Sequence, residues 1–209
     1  MRKLLFTFLL LTIPLFSEDE ITICLETTCS LEPIYLNGIE KEACSFDASY
    51  FTEIQKVLEF DFSHNGSTKL AKGKAKEVIL KGLSFEDMGQ SSFWKKEDVN
   101  YVLKAKVKGK NLEARLFLVS QNSIRTFEGI LLSGNLNEDR RKIHLLADAI
   151  HLALFNKEGI ASSKFLYVVK EKGAKGEYQS NIFEADYDGH NVRQVTKNEG
   201  YCISPLYVP

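Results

Sequence analysis

An apolar block, residues 4–15, sits between the basic start Met1-Arg2-Lys3 and the acidic run Glu18-Asp19-Glu20. At about 12 residues it has the length of a signal-peptide core and falls short of the ~20 that a spanning helix needs. Residues 1–17 therefore read as a signal peptide cut near Ser17, which exports the mature protein to the periplasm. Beyond it, Ile21, Thr22, Ile23 and Cys24 alternate as a short extended segment. Residues 33–37 form a second one, with Ile34 and Leu36 on one side and the turn signal Asn37-Gly38 at its end. Phe51, Ile54, Leu58 and Phe62 then recur at helical spacing and predict a helix over 48–64, with Gly66 placed to stop it. The Lys/Gly-rich residues 69–76 read as a solvated loop, followed by a short strand near Ile79.

The middle of the chain has the period of a sheet. Val99, Tyr101, Leu103, Ala105 and Val107 face one way and Lys104, Lys106 and Lys108 the other, so the strand is half-buried with its lysines in solvent. Lys108-Gly109-Lys110-Asn111 turns the chain into a partner strand carrying Leu112, Ala114, Leu116 and Leu118, and a third strand follows over 124–132. Asn137 is placed to cap a helix whose stripe is Ile143, Leu146, Ala147, Ile150 and Leu154, with Glu138 and Asp139 in its first turn. Strand, helix, strands, helix over 18–159 predicts an α+β domain, a mixed sheet with helices on one face. The rhythm then changes to short strands at 165–170, 179–186 and 192–196 with the turn signal Asp188-Gly189, the cadence of an all-β unit over 160–209.

Charge and composition narrow the function. A formal net charge of −1 argues against a dedicated nucleic-acid protein, which would carry a one-signed basic face. Export puts the four cysteines, Cys24, Cys29, Cys44 and Cys202, in an oxidising compartment. Pairing among the first three would close a small loop. Cys29 with Cys44 is the favoured pair because it leaves Cys24 free on a strand, but the spacing leaves connectivity open. Gly-x-Ser-x-Gly, Gly-x-x-x-x-Gly-Lys-[Ser/Thr] and His-Glu-x-x-His are absent from the sequence. His144, Asp148 and His151 could share one helical face as metal ligands. Leu and Ala dominate between them, however, and the favoured reading is structural, with Asp148 pairing a neighbouring histidine at the helix surface. Trp94 reads as a core anchor. No catalytic residue, metal or cofactor is expected.

One junction carries a resemblance. His144-Leu-Leu-Ala-Asp148-Ala-Ile150 leads through Gly159 into the apolar run from Phe165 to Val169, and Asp186-Tyr-Asp-Gly189-His-Asn191 follows. This resembles the TolB family, where a helix bearing His-x-x-Ala-Asp-x-Ile enters a first propeller strand and an Asp-Tyr-Asp-Gly-x-Asn hairpin comes next. Ser204-Pro205-Leu-Tyr207 is similar to the family's Ser-Pro-x-aromatic stretch, and Asp61-Phe-Ser-His-Asn-Gly66 to its first helix end. The departures are the early cysteines, the lysine-rich residues 69–81, and length. The family carries a six-bladed propeller, whereas this chain reaches Pro209 with little more than one blade, so 160–209 reads as an incomplete first blade.

The resemblance implies a non-enzymatic periplasmic component of the Tol-Pal system, which links inner and outer membranes in envelope constriction during cell division and in outer-membrane integrity. It implies two partners, a TolA-like inner-membrane protein and a Pal-like outer-membrane lipoprotein. Ile21, Thr22, Ile23 and Cys24 correspond to the family's TolA-binding strand, and a free extended strand suits addition to a partner's sheet edge. No Pal-contact residue carries over, because that contact is made largely by the propeller. The alternatives are a stand-alone exported α+β binding module and the front of a propeller-bearing hydrolase.

Overall fold

A computed structural model describes residues 30–72, 82–172, 176–197 and 200–208. The expected signal peptide, the 21–24 segment, Cys29 and the strand near Ile79 lie outside the described residues.

Strand β1 (Glu32–Leu36) lies between β3 (Thr68–Leu70) and β4 (Tyr101–Lys108), parallel to both. The short β2 (Glu40–Glu42) runs beside the far half of β4. β4, β5 (Asn111–Leu118) and β6 (Ser123–Leu131) form an antiparallel meander, giving the mixed order β3-β1-β4-β5-β6. The β5–β6 register slips between Leu112 and Ala114, and Gly129, at φ 81°, supplies the backbone conformation on the bulged strand.

Helices α1 (Ala48–His64) and α3 (Leu136–Phe155) cover one face of this sheet. Ile54, Leu58 and Phe62 from α1 and Ile143, Leu146 and Ile150 from α3 bury their stripes against Ile34, Leu103, Ala105 and Leu116. Each such side chain contributes about 1.5–3 kcal/mol on leaving water. Helix α1 has the limits its periodicity predicts. The N-cap of α3 is Asn135, not Asn137: the Asn135 side chain accepts from the Asn137 backbone N–H at 3.1 Å.

The opposite face is also covered, which corrects the expectation of helices on one side alone. Helix α2 (Ser91–Lys96) brings Trp94 onto Tyr35, Val102 and Phe117. The indole N–H donates to the Met88 carbonyl at 2.7 Å, so Trp94 is a core anchor with its polar edge paired. Val99 belongs to this second cluster and not to the helix-facing row, because Asp98, at φ 53°, redirects the chain before β4. The same cover buries Lys104, which strand alternation puts in water. It is 0% exposed, and its ammonium donates to the Ser84 and Asp87 carbonyls at 2.8 and 2.9 Å. Burial lowers its pKa, with the nearby carboxylates Glu40, Asp87 and Glu86 opposing. Lys106 and Lys108 do reach the surface, where both meet Glu42.

A second sheet follows, β7 (Lys164–Lys172), β8 (Tyr178–Asp186) and β9 (Arg193–Gln194), antiparallel in that order. The third strand is shorter than its sequence pattern suggests. Phe165, Val168, Tyr178, Val195 and Ile203 are exposed along this part of the chain.

Lys104→Met should cost about 1–3 kcal/mol in urea unfolding, since two carbonyls lose their donor. Lys108→Met should stay within about 0.5 kcal/mol. Equal effects would mean that burial of Lys104 does not hold the 82–90 connection. A second test concerns Asp139, whose fully buried carboxylate accepts from Ser133 N, Gly134 N, the Tyr50 hydroxyl and Lys142 Nζ. Burial pushes its pKa up, but the bonds from Lys142, Ser133, Tyr50 and Gly134 outweigh this and hold it below the ordinary 3.8. The carboxylate's stabilisation is therefore present above pH 3.8 and lost as pH falls through the lower folded value. Asp139→Asn should cost about 1–3 kcal/mol at pH 7. The gap to wild type should shrink as pH drops below 3.8, and a gap that is constant with pH would refute this account.

Candidate functional site

Of the residues with a sequence-level role, Ile21, Thr22, Ile23, Cys24 and Cys29 lie outside the described residues. Among the described residues Cys44 and Cys202 are half-buried and form no disulfide, and the Cys44 sulfur accepts from Phe46 N at 3.5 Å.

His144, Asp148 and His151 share α3 but turn to three different partners. Asp148 does not pair with a histidine, which corrects the expectation. Its two oxygens accept from Ala161 N and Ser162 N at 2.8 and 2.9 Å and pin the chain as it leaves the helix. Gly159 passes so close that a Cβ there would lie 2.2 Å from Asp148 Oδ1 and 2.7 Å from its Cα. This approach explains why glycine stands at that point of the junction. His151, buried and not at the surface, places Nδ1 3.0 Å from the Lys157 carbonyl and Nε2 3.1 Å from Ser67 Oγ. In the neutral ring Nδ1–H donates to the carbonyl and Nε2 accepts from the serine, tying the loop after α1 to the end of α3. A carboxylate orienter, as a nucleophilic Ser-His pair needs, is replaced here by a backbone carbonyl. No set of three or more histidine, cysteine or acidic side chains converges on a metal position among the described residues.

His144 is the centre of a larger cluster. Its Nδ1 lies 3.0 and 2.9 Å from the two oxygens of Asp61 on α1. Its Nε2 faces Asp188, in the turn after β8, at 3.4 Å, an approach too long to count as a good hydrogen bond. Arg140, one turn earlier on α3, pairs with the same Asp188 oxygen. The side chains of Asp61, His144, Arg140 and Asp188 are 1, 2, 5 and 2% exposed. Next to them the Tyr187 hydroxyl donates to the His64 carbonyl at 2.6 Å, and its ring meets Phe60 edge-on. A cleft of about 320 Å³ lined by Lys56, Phe60, Arg140 and His190 opens beside the cluster.

The electrostatics are those of desolvated charge. Burial raises the pKa of Asp61, with the bond from His144 opposing. Burial lowers the pKa of Arg140, with Asp186, Asp61 and Glu53 opposing. His190 is lowered by burial and by the Arg140 charge. Both ring nitrogens of His144 face carboxylates, so the arrangement positions elements and offers no hydroxyl or thiol for His144 to activate. Sequence reading met Asp188 as a turn residue and in the hairpin run and Asp61 in the first helix end, gave neither a role in a site, and missed Arg140. The available signal was a charged residue on the apolar side of each helix: Asp61 beside Phe62, and Arg140 three positions before Ile143.

No protein-family model matches the chain. Against curated proteins it is 37% identical over 214 residues to "Protein TolB homolog" of Protochlamydia amoebophila (strain UWE25), covering 99% of this chain and 46% of that protein. Over 99% of its length the chain is similar to that TolB homologue. The "Tol-Pal system protein TolB" of Geobacter metallireducens (strain ATCC 53774 / DSM 7210 / GS-15) is 35% identical over 98 residues, 47% of this chain and 21% of that protein. The crystal structure of TolB from Acinetobacter baumannii shares the fold over 78% of this chain and 38% of its own, with a TM-score of 0.56 at 16% identity. The chain spans about half the length of the curated relatives that it matches end to end, 46% and 42%.

Gly159→Ala should cost about 1–3 kcal/mol in thermal or urea unfolding, through overpacking against Asp148. A neutral substitution would show that the linker can move away from α3, and would sink the clamp reading.

Proposed function

We propose that this protein is a non-enzymatic periplasmic component of a Tol-Pal system. In this reading 18–159 is a TolB-like N-terminal domain, and 160–209 begins a propeller of which this is an incomplete first blade. The protein links a TolA-like inner-membrane partner to a Pal-like outer-membrane lipoprotein and so serves outer-membrane invagination in cell division and envelope integrity. The observation that carries the reading is the 37% identity to a TolB homologue along 99% of the chain. Two features support it. The exposed apolar side chains Phe165, Val168 and Tyr178 on the second sheet suit packing against neighbouring blades. The buried Asp61, Arg140, His144 and Asp188 are arranged to hold two units together and not to process a substrate.

In the same reading Ile21, Thr22, Ile23 and Cys24 add as a strand to the TolA-like partner, main-chain bonds giving affinity and alternate side chains selectivity. The test is calorimetric titration of the exported protein with the soluble domain of the TolA-like partner. Deleting residues 18–24 should abolish that complex while leaving thermal unfolding of the α+β unit nearly unchanged. Loss of folding together with binding would make 21–24 an edge strand of its own domain. Failure of the intact protein to bind either partner would overturn the assignment in favour of a stand-alone exported binding module.

A further inference from the structure

The second sheet meets the helices of the first unit through one turn. Neither apolar cluster includes a residue of β7, β8 or β9. Among the described residues no strand of that sheet packs broadly against a helix or strand of the six-stranded unit. Among the described residues the contacts that cross are Asp188 with Arg140 and His144, the Tyr187 hydroxyl on the His64 carbonyl, and the Tyr187 ring edge on Phe60.

The turn that makes these contacts is braced from within. Asp186 N donates to the His190 carbonyl at 2.9 Å, Gly189 N to the Asp186 carbonyl at 2.8 Å, and His190 N to Asp188 Oδ1 at 3.1 Å. Gly189 takes the positive φ of 79° that this shape requires. A turn carrying its own hydrogen bonds keeps its form whether seated or withdrawn. The seat has no such tolerance. Asp188 drawn halfway out would leave the Arg140 guanidinium buried and short of its counter-charge, which is costly. Arg140 Nε and His144 Nε2 already lack a hydrogen-bond partner, so the seat has no spare acceptor to share.

We propose that the 187–190 turn is a releasable latch, joining the second sheet to the α+β unit as one body while Asp188 is seated and freeing it when Asp188 is withdrawn. The charged groups that set its strength are Glu53 and Asp61 on α1, Arg140 and Asp148 on α3, and Asp186 and His190 beside the turn itself. The two clamps of Asp148 on Ala161 and Ser162 stay closed in both positions, so motion begins after Ser162.

The test is amide hydrogen exchange by mass spectrometry on the full chain as wild type, Asp188→Asn, Arg140→Gln and the double variant. Either single change should raise exchange in 186–191 and at the C-terminal turn of α1 by about tenfold, with the centres of α1, α3 and β4 within about twofold of wild type. The double variant should match the singles, because both remove one interaction. Unchanged exchange in both single variants would overturn the latch, and so would effects that add in the double. Loss of protection throughout the α+β core in both single variants would overturn it as well, showing a folding element instead.

Discussion

Asp61 and His144 face each other at 2.9 Å inside the layer between α1 and α3, both almost fully desolvated. Neither is tolerable there without the other, since a buried charge or donor stripped of its partner costs several kcal/mol. The apolar stripes around them are less selective. Phe51, Ile54, Leu58 and Phe62 would still bury surface if α1 slid by one turn, about 5.4 Å. The polar pair would not survive that slide, so it selects one register from several that hydrophobic burial allows. The same ring turns its second nitrogen to Asp188. His144 thus takes part both in the helix register, through Asp61, and in the seating of the second sheet, where Arg140 and Tyr187 join it.

Around this pair the connections are fixed by a repeated device, an acidic or amide side chain accepting from the backbone N–H groups of a loop. Asn65 receives Ser67 N and Thr68 N after α1. Asp139 receives Ser133 N and Gly134 N before α3, and Asp148 receives Ala161 N and Ser162 N after it. Loop amides drawn toward a core need partners that water no longer supplies. Placing two of these acceptors on α3 makes that helix the member to which both entry and exit of the chain are tied. The His-x-x-Ala-Asp-x-Ile run therefore has a physical content. Its histidine holds α1, its alanine is buried against the core, and its aspartate holds the linker.

Local pattern revealed the elements that depend on local physics. The limits of α1 and the β4–β5 hairpin follow from periodicity and a Gly-containing turn, and both are where the sequence places them. Lys104 did not follow, because strand alternation cannot say that the second face of the sheet is covered by a connection from residues 82–90. The cap of α3 falls at Asn135, two positions before the expected Asn137, because the chain is still extended at Asn135, with φ −89° and ψ 111°. The histidines and aspartate of α3 looked like one constellation because they lie near one another in sequence. Their partners come from residues 61, 67, 157, 161, 162 and 188, brought in by tertiary structure. The TolB resemblance needed none of this. It rested on a linear run whose residues are constrained by the junction itself.

The character of that junction follows from what each side has to offer. The two apolar clusters of the α+β unit include no residue of the second sheet, which keeps Phe165, Val168 and Tyr178 turned outward. Among the described residues the two sides meet through Asp188, Arg140, His144 and the Tyr187–Phe60 edge, so the joint is built mainly of charge and hydrogen bonds. An apolar joint would be indifferent to small rotations, because burial is non-directional. A joint of Arg140, His144 and Asp188 is directional and abrupt. It tolerates little angular drift while seated, and its attraction collapses once water reaches the carboxylate. A contact of the second kind holds two parts in one orientation more strictly than one of the first.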